Sequence, residues 1–285
     1  MNNILKSVFI SIFPVIALYY AIDSIVHLIN HSVSYRYIGR LILASTIVTF
    51  FLFLFIKPVA RTDSNLKKHT ISIAVGLLIS LIFGGAIEQD IYGSLPSIGL
   101  FLGWVLYIKW YSTFEDRKNN TMLKIGSYLP ELELQNIEKK RINTSKFIGN
   151  PSIFLFYRGN WCPLCMAQIK EIALQYKELE KRNVNIIFIS PQSHGHTKSL
   201  AEKFNLNFNF LVDHKNKVAK QLHILSKNGL PMGFQTLGYD SDTVMPTVLI
   251  TNSEGKIIFA DLTNNYRVRP EPETFLKIID TYTSK

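Results

Sequence analysis

The sequence predicts an α-helical membrane region of about four transmembrane helices, followed by an α/β domain with a mixed central sheet. Two observations indicate this division. Hydrophobic residues make up 47% of the 285-residue chain and charged residues only 18%, and the longest apolar segments lie near the N-terminus. From about residue 117 onward, charged residues of both signs are frequent, and short β-rich runs alternate with helical periods. We therefore expect a helical region over residues 1–116 and an α/β domain over residues 117–285.

Four apolar segments approach the length of about 20 residues that a helix needs to cross a hydrocarbon layer. They cover approximately residues 4–20, 38–56, 71–87 and 91–111. None has the polar face of a surface helix, which disfavours the alternative of four buried helices in a globular domain. A cleaved signal peptide is an alternative for the first segment, but Lys6 is its only early basic residue and no small-residue cleavage site follows. We expect that segment to be retained.

The charges of the loops predict the orientation in the membrane. With four spans, the N-terminus, the second loop and the C-terminal flank share one side, which carries nine basic residues: Lys6, Lys57, Arg61, Lys67, Lys68, Lys109, Arg117, Lys118 and Lys124. The opposite side carries Arg36 and Arg40, together with Glu88 and Asp90. Because basic loops tend to stay in the cytoplasm, we expect a multi-pass protein of the bacterial inner membrane with both termini cytoplasmic. Three spans would move one end to the other side.

In the second half, apolar runs bounded by turn residues predict buried strands. The predicted strands are residues 152–157, residues 185–190 and, after Pro246, the runs TVLIT and KIIFADL, which the turn 252–255 separates. The predicted helices cover residues 163–182, a stretch near 199–204 and residues 271–281. The formal net charge of +10 is not arranged as a basic stripe with interleaved aromatic residues, so the sequence disfavours a nucleic-acid partner.

Both cysteines of the chain lie between the first of these strands and the first helix, in the run Trp161-Cys162-Pro163-Leu164-Cys165. Proline suits the first helical position, which puts Cys162 at the N-cap, where unpaired amides and the helix dipole favour a thiolate. Cys165 follows one turn later on the same face, within reach of a disulfide. The spacing therefore predicts an exposed attacking thiol at Cys162 with a resolving thiol beneath it.

Two other interpretations of the cysteines stay open. One is half of a zinc site, for which His194 and His196 could supply the missing ligands, although a polar loop explains these histidines equally well. The other is a pair of buried cysteines without a redox role. The redox interpretation needs neither a metal nor an organic cofactor, and we expect none.

Six segments, in chain order, are similar to the peroxiredoxin-like branch of the alkyl hydroperoxide reductase and thiol-specific antioxidant (AhpC/TSA, redoxin) family. They are KIGSYLPELEL, FYRGNWCPLC, ISPQS, FLVDHKNKVAKQL, MPTVLITNSEGKI and YRVRPEPE. The resemblance covers about 160 residues and leaves the membrane half unexplained. It implies a thioredoxin fold, with Cys162 as the peroxidatic cysteine and Cys165 as its resolving partner. It also implies that Pro246 is the cis-proline facing the pair, with Thr247 beside it as a supporting residue.

The chain departs from the family pattern at one position. Standard peroxiredoxins carry Thr or Ser three residues before the peroxidatic cysteine, in a P-x-x-x-T-x-x-C frame, where it positions the peroxide oxygens. Counted from Cys162, Gly159 stands at the hydroxyl position and Leu155 at the proline position. Trp161 beside the first cysteine resembles thioredoxin itself. The candidates for a helper guanidinium are Arg158, Arg267 and Arg269, and a solvated cation or a structural ion pair explains each of them about equally well.

Three functions are compatible with these features. The first is a membrane-anchored thiol peroxidase that reduces hydroperoxides with Cys162 and Cys165 and is regenerated by an external dithiol, such as a thioredoxin-like donor. The second is a membrane-tethered thiol–disulfide oxidoreductase that acts on protein disulfides through a mixed disulfide. The third is a non-enzymatic membrane redox sensor. A cytoplasmic location, where reduced dithiols are available, favours the peroxidase, which is the function we expect.

Overall fold

The computed structural model describes residues 2–86, 92–115, 117–204 and 206–283. The chain divides into two compact units. One unit, which we call the helical unit, contains Leu5–Pro58 and Thr62–Thr113. The other, which we call the α/β unit, contains Phe114–Lys285 together with the short segments Met1–Ile4 and Val59–Arg61.

The helical unit is built from four described α-helices. They are α1 (Asn2–Asn30), α2 (Tyr35–Ile56), α3 (Lys67–Ala86) and α4 (Leu95–Leu106). Three stretches of the described chain, residues 2–30, 35–56 and 67–84, are long and apolar enough to cross a membrane. These stretches overlap the first three predicted spans, so those spans correspond to helices of sufficient length and apolarity.

The fourth predicted span differs from the expectation, because no single long helix occupies it in the described part of the chain. Its first residue, Ile91, lies outside the described residues, as do Glu88 and Asp90 in the preceding loop. After a 3₁₀ turn, α4 begins with Pro96 in its first turn and has 12 residues, and a π-helical turn follows at Tyr107–Tyr111. At 1.5 Å per residue, α4 is about 18 Å long, shorter than the hydrocarbon layer. Three candidate spans are therefore supported, and the orientation stays a prediction.

Within the helical unit, α2 and α3 approach each other through glycines. A Cβ atom added at Gly39 would lie 2.4 Å from the backbone nitrogen of Ser80 and 2.5 Å from the carbonyl oxygen of Gly76. A Cβ at Gly76 would lie 2.7 Å from the carbonyl oxygen of Gly39. Small residues allow such backbone contact between apolar helices, which gain stability in lipid mainly from close packing.

A buried arginine links α1 to α2. Arg40 is 4% exposed and forms an ion pair with the carboxylate of Asp23. Its Nε also donates a hydrogen bond to Ser24 Oγ at 3.0 Å, and its guanidinium carbon lies 4.3 Å from the ring centroid of Tyr37. Burying a charge is costly unless it is paired, and these contacts supply the pairing.

The α/β unit contains a seven-stranded mixed sheet in the order β2-β1-β5-β4-β3-β8-β9. The strands are β1 (Glu133–Gln135), β2 (Arg141–Asn143), β3 (Ser152–Phe156), β4 (Asn185–Ser190), β5 (Asn209–Val212), β8 (Thr247–Thr251) and β9 (Ile257–Asp261), and β6 (Leu225–Ser226) pairs with β7 (Thr243–Val244) in a separate ribbon. The central strands β3, β4 and β5 run parallel, while β8 and β9 are antiparallel to their neighbours. The prediction of an α/β domain with a mixed sheet is confirmed.

The remaining helices of this unit are α5 (Pro163–Leu174), α6 (Tyr176–Glu180), α7 (His194–Phe204), α8 (Lys217–Gln221) and α9 (Pro272–Thr283). The single helix predicted over residues 163–182 is divided between α5 and α6 at Gln175, whose φ of −93° and ψ of 7° leave the helical region. Strand β3 ends where the chain turns into α5, so the carboxyl end of the central strand leads directly to the cysteines.

Candidate active site

The cysteine pair lies at the start of α5. Cys162 is the N-cap residue, as predicted, and Cys165 is one turn into the helix. The two Sγ atoms are 2.6 Å apart, and both thiols are buried, with Cys162 2% exposed and Cys165 fully enclosed. The predicted exposure of Cys162 is therefore wrong, while its role as the attacking thiol stays a prediction. The side chain of Cys162 also makes no hydrogen bond to the free amides of the helix.

Arg269 is the arginine in contact with the pair. It is buried, and its Nη2 lies 3.5 Å from Cys165 Sγ. Its Nη1 donates a hydrogen bond to Gln168 Oε1 at 2.9 Å, and its Nε donates to the Tyr266 carbonyl oxygen at 3.0 Å. These hydrogen bonds hold the guanidinium in one orientation, with one edge toward the sulfur.

The pKa values of the two thiols move in opposite directions. Burial by itself raises the pKa of Cys165, but the hydrogen bond with Cys162, the Arg269 guanidinium and the backbone N–H of Arg158 together lower it to about 5. Burial raises the pKa of Cys162 well above its ordinary value, and the neighbouring sulfur of Cys165 adds to this effect. The prediction that helix amides lower the pKa of Cys162 is therefore wrong.

The other two candidate arginines have different surroundings. Arg158 donates a hydrogen bond from Nη2 to the Gly229 carbonyl oxygen, and its guanidinium carbon lies 4.6 Å from the ring centroid of Trp161. Arg267 is fully buried, and its backbone N–H donates to Asn265 Oδ1 at 3.0 Å. The structure thus brings Arg158 and Arg269 to the cysteines, and it buries all three arginines that the sequence singled out.

Gly159 explains why a hydroxyl residue is missing before Cys162. Its φ is +148°, a conformation that favours glycine. A Cβ atom added there would lie 2.7 Å from Trp161 Nε1, closer than atoms normally approach. The indole ring therefore occupies the space that a side chain at position 159 would need.

Pro246 and Thr247 lie where β7 leads into β8. No peptide bond in the described part of the chain is cis, so the cis-proline expected at Pro246 is not observed. A trans bond, which is favoured by about 0.5–1 kcal/mol for X-Pro, lets the chain continue extended from β7 to Thr247, the register partner of Phe156. Thr247 Oγ1 accepts a hydrogen bond from Arg117 Nη2 at 2.6 Å.

Arg117 is a site residue that sequence reasoning misplaced. It was expected among the basic residues that flank the membrane, yet it is 4% exposed within the α/β unit. Its Nη1 donates to the Thr263 carbonyl oxygen at 2.8 Å. Its pKa is lowered to about 10, mainly by burial; the negative charge of Asp261 opposes this effect and the positive charge of Arg269 adds to it. Eight basic residues therefore remain for the orientation argument instead of nine.

Comparison with known proteins places these residues in a family. A sequence model of the AhpC/TSA family matches residues 125–260. Peroxiredoxin Q of Sedum lineare is 31% identical over 135 residues, which cover 46% of this chain and 73% of that protein. This chain belongs to the AhpC/TSA family. Peroxiredoxin Q of Triticum aestivum is 32% identical over 34% of this chain and 44% of its own length. A putative peroxiredoxin bcp of Buchnera aphidicola is 29% identical over 48% of this chain and 83% of its own length.

Solved structures of this family also align with the chain. AhpC of Enterococcus faecalis is 20% identical, with a TM-score of 0.46, and the alignment covers 56% of this chain and 92% of that chain. The peroxidoxin BcpB of Mycobacterium tuberculosis is 16% identical, with a TM-score of 0.46, and the alignment covers 56% and 97%. As an AhpC/TSA member, this chain is an oxidoreductase of the peroxiredoxin type with a thioredoxin-like α/β domain.

The family match contains both cysteines and ends at residue 260, before Arg269. Only the tertiary structure brings this AhpC/TSA domain's C-terminal arginine to Cys165. The tertiary structure also gives contacts to Gln192, a buried residue that the sequence analysis did not single out. Its Nε2 donates hydrogen bonds to Tyr157 Oη at 3.1 Å and Asn160 Oδ1 at 3.0 Å, and its Oε1 accepts from the Asn160 backbone N–H at 2.9 Å. A lone glutamine after a strand carries no sequence signal that it will hydrogen-bond to residues beside the cysteines.

A surface segment of this AhpC/TSA domain, residues 229–239, contacts residues that flank the cysteines in the sequence or the fold. The rings of Trp161 and Phe234 have centroids 5.8 Å apart. His196 stacks on Tyr239 at 4.4 Å, and its Nε2 is 3.2 Å from the Leu237 carbonyl oxygen. His196, one of the two histidines considered as zinc ligands, thus contacts this segment. Across the described residues, no group of three or more His, Cys, Asp or Glu side chains converges as a metal site would require.

Proposed function

We propose that this protein is a membrane-anchored thiol peroxidase that reduces hydroperoxides with the Cys162/Cys165 pair. The helical region of residues 1–116 serves as the anchor, and the redox domain spans residues 117–285. Relatives named peroxiredoxin support the peroxidase activity. Three helices of sufficient length and apolarity support the anchor, with the lipid bilayer as its partner.

The observation that carries the peroxidase is the contact between a buried thiol and the Arg269 guanidinium. A thiolate of the pair attacks the terminal oxygen of ROOH, so that an S–O bond forms, the O–O bond breaks and ROH leaves after protonation. The second thiol then attacks the sulfenic sulfur, a disulfide forms and water leaves. An external dithiol, for which a thioredoxin-like donor is suitable, reduces the disulfide.

Burial of both sulfurs favours a small substrate. Cys162 is 2% exposed and Cys165 fully enclosed, so a protein disulfide reaches either sulfur only after neighbouring residues move. A hydroperoxide group is much smaller and needs a smaller opening. The thiol–disulfide oxidoreductase alternative rests on the Trp-Cys-x-x-Cys arrangement, and the redox sensor on the membrane anchor alone.

The proposed location is the bacterial inner membrane, with the redox domain on the cytoplasmic side. Eight basic residues on the N-terminal side of the spans, against Arg36 and Arg40 on the other, support this orientation. It requires a fourth crossing, and the helical turns between Tyr92 and Tyr111 are its candidate.

The test uses the full-length protein, reduced and purified in detergent micelles. Mixed with one equivalent of hydrogen peroxide at pH 7, it should lose one thiol pair more than about 30-fold faster than free cysteine, because a thiol with a pKa near 5 is almost fully ionised and free cysteine about 3% ionised. Oxidised glutathione and a reporter protein disulfide serve as competing substrates. Oxidation by peroxide no faster than that of free cysteine, together with rapid exchange with a disulfide, would establish the oxidoreductase alternative instead.

A further inference from the structure

Hydrogen-bond donors converge on the second cysteine of the pair. Cys165 Sγ lies 3.5 Å from Arg269 Nη2 and also accepts from the backbone N–H of Arg158. The Cys162 sulfur is 2.6 Å away, so the two thiols can share one proton. Because a sulfur that accepts several hydrogen bonds is the better place for negative charge, the shared proton belongs on Cys162.

The positive charges of Arg269 and Arg158 also act on Cys162, but burial outweighs them there. Its side chain makes no hydrogen bond to the amides at the start of α5. Three residues before it stands Gly159, which has no side chain to donate a hydrogen bond. Cys162 lies three residues before Cys165, which is the spacing between Gly159 and Cys162. Side chains three residues apart lie on one helical face. A thiol donor is therefore available one turn before Cys165 and not before Cys162.

Gln168 holds the arginine toward Cys165. It lies one turn after Cys165, is 2% exposed and accepts the Arg269 Nη1 hydrogen bond through Oε1. The amide nitrogen Nε2 of Gln168 takes no part in this contact. Within the described chain, Gln168 Nε2 and Arg158 Nε are buried donors without a hydrogen-bond partner. Buried donors normally have acceptors, so these two are available to a bound peroxide oxygen beside the pair.

From this geometry we propose that Cys165 is the thiolate that attacks the peroxide and that Cys162 first donates a hydrogen bond to it and then resolves it. This assignment rests on the proposed function and reverses the roles that the family resemblance implies. The Cys165 thiolate forms an S–O bond with the terminal oxygen of ROOH as the O–O bond breaks, and the departing alkoxide takes up a proton from solvent and leaves as ROH. Cys162 then attacks the sulfur of the Cys165 sulfenic acid, the S–S bond forms, and water leaves.

Two further features agree with the assignment. The pKa of Cys165 lies near 5 and that of Cys162 above its ordinary value, so the charge belongs to the deeper sulfur at neutral pH. Exposure does not favour Cys162, because both sulfurs are almost completely enclosed. Gln168 acts as a positioning residue through Arg269.

The experiment oxidises the full-length Cys162→Ser and Cys165→Ser variants with one equivalent of hydrogen peroxide in the presence of dimedone, and mass spectrometry locates the sulfenic acid adduct. Serine keeps a hydroxyl donor at position 162, so Cys162→Ser should form the adduct on Cys165 at close to the wild-type rate of first oxidation. Cys165→Ser should react no faster than free cysteine. Cys162→Ala, which lacks the donor, should react about 10-fold more slowly than Cys162→Ser, as expected for the loss of one charge-assisted hydrogen bond.

The outcomes separate the two proposals. Rapid adduct formation on Cys162 in the Cys165→Ser variant would overturn the assignment and leave the peroxidase intact. Slow oxidation of Cys162→Ser together with rapid oxidation of the wild type would also overturn the assignment and leave the peroxidase intact. Slow oxidation of the wild type itself would remove the peroxidase and the assignment with it. Thermal unfolding of each variant shows whether it is folded.

Gln168→Leu tests the positioning role of Gln168. In this variant the pH midpoint of Cys165 alkylation should rise, and Gln168→Glu should restore the midpoint.

Discussion

The helical unit and the α/β unit each bury an arginine, but the group that faces the guanidinium differs. Arg40 in the helical unit is 4% exposed and pairs with the carboxylate of Asp23. Arg269 in the α/β unit is 6% exposed and faces the Cys165 sulfur, with Gln168 orienting it. A carboxylate takes no part in redox chemistry, whereas a thiol is oxidised and thereby changes its charge. The first arginine therefore stabilises helix packing, and the second responds to chemistry at its partner.

The two units also differ in what lies against their glycines. In the helical unit, Gly39 and Gly76 face backbone atoms of the opposite helix. In the α/β unit, Gly159 faces the indole ring of Trp161. Two packed helix backbones separate only as whole helices, while a side chain can rotate. Substitutions that add bulk should therefore lower the free energy of unfolding more in the helical unit. Substitutions that remove a charge should change the reactivity of the cysteines only in the α/β unit.

The largest expected effect is that of Gly76→Leu on the helical unit. A Cβ at position 76 would lie 2.7 Å from the Gly39 carbonyl oxygen, so α2 and α3 must move apart. We expect the free energy of unfolding to fall by about 3 kcal/mol, at the upper end of the range for overpacking. Denaturant titration in detergent, followed by far-UV circular dichroism, measures this loss. Gly99→Leu is the matched control, because a Cβ at Gly99 meets no atom within 4 Å. Equal stabilities of the two variants would contradict the backbone-contact argument.

The second effect compares Arg269→Met with Arg40→Met. Without Arg269, the pKa of Cys165 should rise from about 5 toward the ordinary thiol value near 8.5, so its alkylation by iodoacetamide at pH 7 should slow by up to about 30-fold. Arg40→Met should leave the pH profile of alkylation unchanged, since Arg40 belongs to the other unit.

The same pair of variants also tests the dependence of stability on pH. Because the pKa of Cys165 is lower in the folded protein than in the unfolded chain, its contribution to stability is present above about 8.5 and is lost as the pH falls through about 5. Wild type and Arg40→Met should show this rise of stability with pH, and Arg269→Met should show less of it. A similar slope in all three proteins would indicate that the arginine does not set the charge of the thiol.

The smallest effect is expected for Gly159→Ala, compared with Gly149→Ala. Both glycines have positive φ, +148° and +108°, so both substitutions strain the backbone. A Cβ at Gly159 also meets Trp161, whereas a Cβ at Gly149 meets no atom within 4 Å. We expect Gly159→Ala to be about 1 kcal/mol less stable than the control and to alkylate its cysteines faster, because Trp161 must move. Thermal unfolding and alkylation kinetics measure both quantities, and identical alkylation of the two variants would show that Trp161 does not control access to the cysteines.

The elements that the sequence predicted well have strong local signals. β3, β4 and β8 are buried along almost their whole length, so their residues form continuous apolar runs bounded by turn residues. β1 and β2 were missed because they have three residues each and carry no such run. The division of the predicted helix at Gln175 was missed because neither glycine nor proline marks it.

The sequence by itself determined the two-part architecture, the helical and strand elements with apolar periodicity, and the position of both cysteines at the start of a helix. These depend on residues close together in the chain, where periodicity and capping act. Only the tertiary structure brought a guanidinium to one of the two sulfurs, because Arg269 lies 104 residues from Cys165 and reaches it through the fold. The burial of the pair was also decided by the tertiary structure: the helix start that would favour a thiolate in water encloses Cys162 here, and this burial raises the pKa of its thiol.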